Sequence, residues 1–260
     1  SLNMNYKESF LGNDGIQLKS GPNIKSIYVN SIYRPLPIFS MNLGTRISKY
    51  SEYKKYLFDP RFAVKYNPVS DLAIKVSWGN FSQFIYTTNQ EEELLRIVDF
   101  WQPIPDGQKP QQSEHYILGV EYWISNGNTI SIETYFKKYL HLYDLNPLVD
   151  FSNVENTIAV SGIGNAYGLE FLYRLNINKF SGWIGYAFSD IIREVDFNSD
   201  NIIWEDEEIY TAKYNKPHSF ISVLNYKINE KYDFGISAVY ENGQTYTSVV
   251  GKVHQAGQGN

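Results

Sequence analysis

Four oxygen-bearing side chains set the sharpest chemical register in the chain. Asp196, Asn198, Asp200 and Glu207 fall at positions 1, 3, 5 and 12 of an EF-type calcium loop. Asn201 stands at the sixth position, where glycine is usual, and Asn tolerates the left-handed conformation that position needs. The run Glu205-Asp206-Glu207-Glu208 adds negative charge, but no flanking helices are predicted, so the bland alternative is a solvated acidic loop. Calcium here is the one cofactor the residues suggest. Glu121, Glu133 and Glu170 form a second set, since paired carboxylates can cleave glycosidic bonds. They alternate with Lys75, Lys137 and Arg174, which reads instead as a charge-paired wall. His115, His141, His218 and His254 lack any H-x-x-x-H spacing. Gly-x-Ser-x-Gly is absent, and Gly162-Ile163-Gly164 lacks the third glycine and the strand–helix context of a phosphate loop. With 0 Cys, thiol catalysis, disulfides and cysteine-held metals are excluded. No enzyme is expected. Phe84, Tyr86, Phe100, Trp101, Trp204 and Tyr210 lie in or beside long connections, where exposed rings can hold a flat ligand. The alternative is that these rings pack the loops against one another.

The elements that must position these residues are strands. Leu72–Gly79 alternates large apolar with small or polar residues, and Tyr116–Tyr122, Ile130–Lys137, Tyr167–Leu175 and Tyr232–Ala238 repeat the pattern. Weaker copies run over Phe39–Ile47, Phe62–Tyr66, Ile184–Phe188 and Phe220–Ile228, with a first strand near Lys25–Tyr33, giving roughly ten strands. Glu91–Val98 is the one stretch that reads as a short helix. Turns at Arg34-Pro35, Asn67-Pro68, Asn126-Gly127, Asn178-Lys179 and Asn229-Glu230 are short. They alternate with longer connections, the largest being 88–113, 141–165 and 193–216. In an up-and-down sheet this sends every long loop to one end, as in transmembrane barrels with short periplasmic turns and long extracellular loops.

One strand face is charged and the other nearly free of charge. Arg46, Arg61, Lys65, Lys75, Glu121, Glu133, Lys137, Glu170 and Arg174 are expected to line a wet lumen, with lipid on the other side. The chain has 22 Tyr, 15 Phe and 5 Trp, suited to rings at an apolar–wet boundary. Tyr66, Tyr122, Trp123, Trp183, Tyr226 and Tyr232 would make a belt near the short turns; Tyr50, Phe58, Trp78, Tyr86, Phe188 and Tyr240 would make one near the long loops. No run of about 20 apolar residues occurs, which excludes a helical membrane span. A net charge of −5 argues against a nucleic-acid partner. A soluble sandwich or barrel would also alternate in this way, with its apolar face on a core.

Several segments resemble the barrel of TonB-dependent outer-membrane receptors, in the group with a carboxypeptidase-regulatory-like N-terminal extension. Pro60-Arg61 with Tyr66, then Leu72, Lys75, Ser77, Gly79 and Gln83, is similar to that family's hairpin. Asp99-Phe100-Trp101-Gln102-Pro103 and Pro110-Gln111 with Tyr116 and Leu118-Gly119 resemble its loop and following strand. Tyr167-Gly168 with Glu170, Gly182-Trp183 with Tyr186 and Ser189, and Pro217-His218 with Tyr226 continue the likeness in order, with Lys216 where arginine is usual. The resemblance implies an all-β, antiparallel up-and-down transmembrane barrel of about 22 strands around a plug. Residues 1–260 would be a partial barrel domain, with plug, TonB-box and last strands outside it. It implies a cell outer-membrane location and energy-coupled import of an iron chelate, glycan, peptide or cobalamin-like nutrient. Its partners would be the TonB complex acting through the plug, a small-molecule or oligomeric substrate and outer-membrane lipid, with room for a surface lipoprotein. A passive porin-like or structural barrel and a soluble β-sheet binding module are the alternatives.

Overall fold

The computed structural model describes residues 4–7, 17–20, 22–87, 101–104, 106–125, 127–144, 160–195, 209–212 and 214–243. Ten long strands make one sheet: β3 (Ile24–Leu36), β4 (Phe39–Tyr50), β5 (Tyr56–Val69), β6 (Leu72–Gln83), β9 (Gln111–Ser125), β10 (Asn128–Asp144), β11 (Val160–Ile177), β12 (Phe180–Glu194), β14 (His218–Lys227) and β15 (Asp233–Glu241). The short strand β13 (Ile209–Thr211) adds to the edge of β12. Two small pairs stand apart, β1 (Met4–Lys7) with β2 (Gln17–Ser20) and β7 (Ile85–Thr87) with β8 (Trp101–Pro103). Every neighbour in the long sheet is the next long strand in sequence, and every pairing is antiparallel. All ten expected strands are present in the expected order, while 91–98 lies outside the described residues.

The turns 37–38, 70–71 and 178–179 fall at one end of the sheet, with Asn178 in the left-handed region at φ 52°. The strand ends joined by the longer connections, after β4, β6, β10 and β12, fall at the other. Hydrogen bonding continues past the point where the apolar alternation stops. Gln111–Ser113, His141–Asp144, 160–165 and Arg193–Glu194 are all in strand. Alternation fades there because the outward positions turn polar, as at Glu114, Lys138 and Asn165, yet the backbone still pairs. This lengthens the strands to between 9 and 18 residues.

The register sorts the side chains onto two faces, because residues opposite each other point the same way. On the apolar face Leu43, Phe62, Trp78, Tyr116, Phe136 and Tyr167 form one continuous row over six adjacent strands. Tyr116 and Phe136 touch, with ring centroids 6.3 Å apart. Across β12 the rings step by one pair to Phe188, which touches Tyr167 at 6.3 Å, and Phe220 and Tyr240 follow, directly opposite each other. Toward the short turns a second set gathers: Tyr66, Tyr122, Phe180 stacked near Tyr226 at 4.6 Å, and Phe234. Between them β11 presents Leu169, Phe171, Tyr173, Leu175 and Ile177 without a break. From Tyr167 to Ile177 this stripe runs about 34 Å along the strand, or about 24 Å in height at a 45° tilt, close to an outer-membrane apolar band.

Four rings leave the expected belts. Trp123 and Trp183 lie on the charged face, opposite Thr129 and Arg174, and Lys65 sits 5.6 Å from the Trp123 ring. Tyr50 and Tyr86 are buried beyond the band. Adjacency to a turn therefore misplaces a ring; parity along the strand decides its face. Among the described residues no second layer covers the apolar face of the sheet. Leu118, Val120, Leu169 and Ile236 are 47%, 37%, 41% and 58% exposed. For a sheet whose apolar face meets lipid, Leu169→Arg in the complete protein should cost about 2–4 kcal/mol in a denaturant titration from lipid vesicles. Ser131→Arg on the charged face should cost well under half of that. Equal costs at the two positions would contradict the assignment of faces.

Candidate functional site

The nine charged residues singled out from the sequence share one face. Gly44 lies opposite Arg61, Lys65 opposite Lys75, Gly119 opposite Glu133, His115 opposite Lys137 and Glu133 opposite Glu170. Arg46, Glu121 and Arg174 join them through Asp59, Ala73 and Thr129. Lys75 and Glu121 form an ion pair across β6 and β9. Arg46 donates to Ser26 Oγ at 3.0 Å and stands opposite Asp59, which is buried and accepts from Ser82 Oγ at 2.6 Å. Glu133 and Glu170 face each other directly, an arrangement that repels. Gly119 relieves it: with no side chain there, Glu133 Oε2 leans to 3.6 Å from where a Cβ would stand, away from Glu170. Among the described residues no group of three His, Asp or Glu could hold a metal. Asp196, Asn198, Asp200 and Glu207 lie outside the described residues.

At the long-loop end, the connection after β6 folds back over the charged face. Tyr50, Leu57, Phe84, Tyr86, Ile104 and Tyr143 form one buried cluster there. Tyr50 and Phe84 lie 5.3 Å apart by ring centroid, and Tyr86 and Tyr143 lie 5.4 Å apart. The hydroxyls reach out of the cluster to backbone: Tyr50 donates to Ile104 O at 2.6 Å, and Tyr143 to Lys109 O at 2.7 Å. Backbone bonds from Ile104 to Phe84 and from Gly107 to Glu52 close the fold-back. Burial pushes the Tyr143 phenol up to about 12, with Tyr86 adding to it. Burial also raises Tyr86, and raises Tyr50 further with the help of the Glu52 and Asp106 carboxylates. His141, on the irregularity between Leu140 and Leu142, is lowered by burial and by Lys109.

The six rings proposed as ligand contacts therefore separate. Phe84 and Tyr86 are packed inside this cluster, where their faces meet protein. Trp101, 47% exposed, lies opposite Thr87 in the β7–β8 pair. Tyr210 is half-buried on β13, opposite Arg193. Phe100 and Trp204 lie outside the described residues.

A concavity of about 300 Å³ opens lower on the same face, between β3 and β9. Its small lining residues are Gly79, beside Arg61 in one row, and Ala63 opposite Ser77 in the next. A Cβ on Gly79 would stand 3.1 Å from Arg61 Cγ, so the arginine stem needs that glycine to lie across β6. The Arg61 guanidinium lies 4.4 Å from the Phe81 ring centroid, and Phe81 lies 4.5 Å from His115. His115 Nε2 is 3.1 Å from Ser113 Oγ, and the His115 ring meets the Tyr139 edge at 6.4 Å. Only Arg61 of this group was singled out from the sequence. Phe81 and His115 carried the signal in their odd parity, which they share with Lys75 and Glu121.

No family model and no curated relative matches the chain. Solved structures do match its fold. The siderophore receptor PirA from Acinetobacter baumannii is 12% identical, with TM-score 0.62, over 87% of this chain and 34% of that one. The FrpB iron transporter from Neisseria meningitidis (F3-3 variant) is 13% identical, with TM-score 0.61, over 82% and 32%. A mutant of the ferric enterobactin receptor PfeA from Pseudomonas aeruginosa is 13% identical, with TM-score 0.61, over 92% and 35%. This chain spans about a third of the length of each. All three are receptors or transporters, and the fold is the receptor-barrel fold that the sequence resemblance implied.

The raised tyrosines give the fold-back a pH limit. A phenol whose folded pKa lies above its ordinary 10.0 contributes stability that is fully present below pH 10 and is lost as pH rises through the folded value. The fold-back should therefore stay protease-resistant up to about pH 10 and open as pH approaches about 12. Tyr143→Phe should weaken it by about 1 kcal/mol, because Lys109 O loses its donor. Tyrosinate absorbance followed against limited proteolysis at 84–110 reads both; ionisation of all tyrosines together near pH 10 would contradict it.

Proposed function

We propose that this chain is part of the wall of a TonB-dependent outer-membrane transporter that imports a scarce nutrient. The observation that carries the reading is the inverted sheet. An uninterrupted apolar face, rimmed by aromatic rows, backs onto a face holding nine charged side chains. A soluble sheet would bury that apolar face, whereas a membrane barrel turns it to lipid and keeps water inside. The charged face would then line the lumen, and the connections at the long-loop end would face the cell exterior. The structural neighbours include an iron transporter and siderophore receptors, which supports the transporter class. The substrate would be an iron chelate or another nutrient too scarce for passive entry. The partners would be the TonB complex, acting through a plug carried elsewhere in the protein, and outer-membrane lipid. A surface lipoprotein partner and calcium in the 196–207 loop belong to the same reading.

The fold-back favours gated transport over an open pore, since Phe84, Tyr86 and Ile104 pack against Tyr50 and Tyr143 at the loop end. Reconstituted into proteoliposomes, the complete protein should keep small neutral sugars such as arabinose excluded in a swelling assay. It should also fractionate with the outer membrane and require detergent for extraction. Rapid sugar equilibration would favour a passive porin, and recovery from aqueous extract as a monomer would favour a soluble module.

A further inference from the structure

We propose that the concavity around Arg61 is a subsite for a carboxylate of a small organic polyacid. The arginine is seated before any ligand arrives. Phe81 covers one face of the guanidinium, and the seat at Gly79 fixes its stem. Among the described residues no carboxylate pairs with it and no hydrogen bond engages its N–H edge. A guanidinium held by its face keeps its planar, in-plane donors for a planar acceptor, and a carboxylate matches that fork with two parallel bonds. Asn30 and Asn42 line the rim on the next strands and add amide donors. The volume of about 300 Å³ suits a small organic acid.

Charge points the same way. Arg46, Arg61, Lys65 and Lys75 occupy the charged face of β4 to β6, against Asp59 alone, in a protein whose net charge is −5. Lys137 adds a fifth cation opposite His115. Asp59 is engaged by Ser82, and Lys75 by Glu121, so the positive field around Arg61 is not cancelled locally. Lys75 and Glu121 sit toward the short turns, which leaves Arg61 as the cation at the mouth of the concavity. Phe81 is a positioning residue here, because it acts on the ligand through Arg61.

This subsite deepens the transporter reading and rests on it for a ligand reaching the charged face from outside. The test is calorimetric titration of the complete, detergent-purified protein with metal-free tricarballylate, with inorganic phosphate run in parallel. Wild type should bind the tricarboxylate and prefer it to phosphate. Arg61→Gln should weaken binding by about 10- to 100-fold. Arg61→Lys should not restore it, because an ammonium lacks the fork. Phe81→Leu should weaken it by about 3- to 10-fold. Lys227→Gln, on the charged face of β14 well away from the concavity, should leave it unchanged. Equal binding of phosphate, or unaltered affinity in Arg61→Gln, would overturn the assignment. So would a wild type that binds no tricarboxylate, and a lowered melting midpoint of ligand-free Arg61→Gln would then identify the occupant as one of the protein's own carboxylates. Proteoliposomes that admit sugars while tricarballylate still binds would defeat the transporter reading and leave the subsite standing.

Discussion

The antiparallel backbone ladder is the constraint on which everything else in this sheet depends. In hydrocarbon no water is present to satisfy an amide or a carbonyl, so each strand must find both partners in its neighbours. Here each long strand pairs with the next one along the chain, which needs only turns and loops as connections. The ladder also explains why the strands outrun their own hydrophobic pattern. Pairing at Gln111–Ser113 and at 142–144 holds because backbone bonds do not depend on what the side chains prefer. Among the described residues β3 and β15 are the two edges of the sheet, the places where this demand is still to be met.

Once the register is fixed, the two faces become different solvents. A one-residue slip would carry Glu133 and Lys137 onto the apolar face and Phe136 onto the charged face, so the contrast between the faces enforces the register. The aromatic row Phe62, Trp78, Tyr116, Phe136 and Tyr167 follows from the same enforcement, with rings at the level where the apolar stripe meets the polar strand ends. The charged face is left free to specialise. Small residues at Ala63, Ser77 and Gly79 line the recess together with the long side chains of Arg61 and Phe81, whose guanidinium and ring meet there.

The loop end shows a second way of burying surface. Among the described residues the one cluster of buried apolar side chains that packs as a core is the six around Tyr50 and Ile104. Tyrosine serves there because its ring packs while its hydroxyl satisfies a backbone carbonyl that would otherwise be stranded, as Tyr50 does for Ile104 and Tyr143 for Lys109. The same residue type thus stands exposed on the apolar face at Tyr116 and Tyr167 and packs a loop at Tyr50 and Tyr86.

The amino-acid sequence by itself determined the strands, their order, the alternation of short and long connections and the face of all nine charged residues. These are consequences of period-two patterning and turn chemistry, which are local. It did not determine which rings point where once a turn or loop intervenes, as Trp123, Trp183, Tyr50 and Tyr86 show. Nor did it reveal that Phe81 and His115 stand beside Arg61, since β9 returns to β6 only after the 84–110 connection. Contacts between strands distant in sequence depend on register, and register is a property of the assembled sheet. The recess and its seated arginine were therefore decided by tertiary structure, from residues whose individual types carried no signal of it.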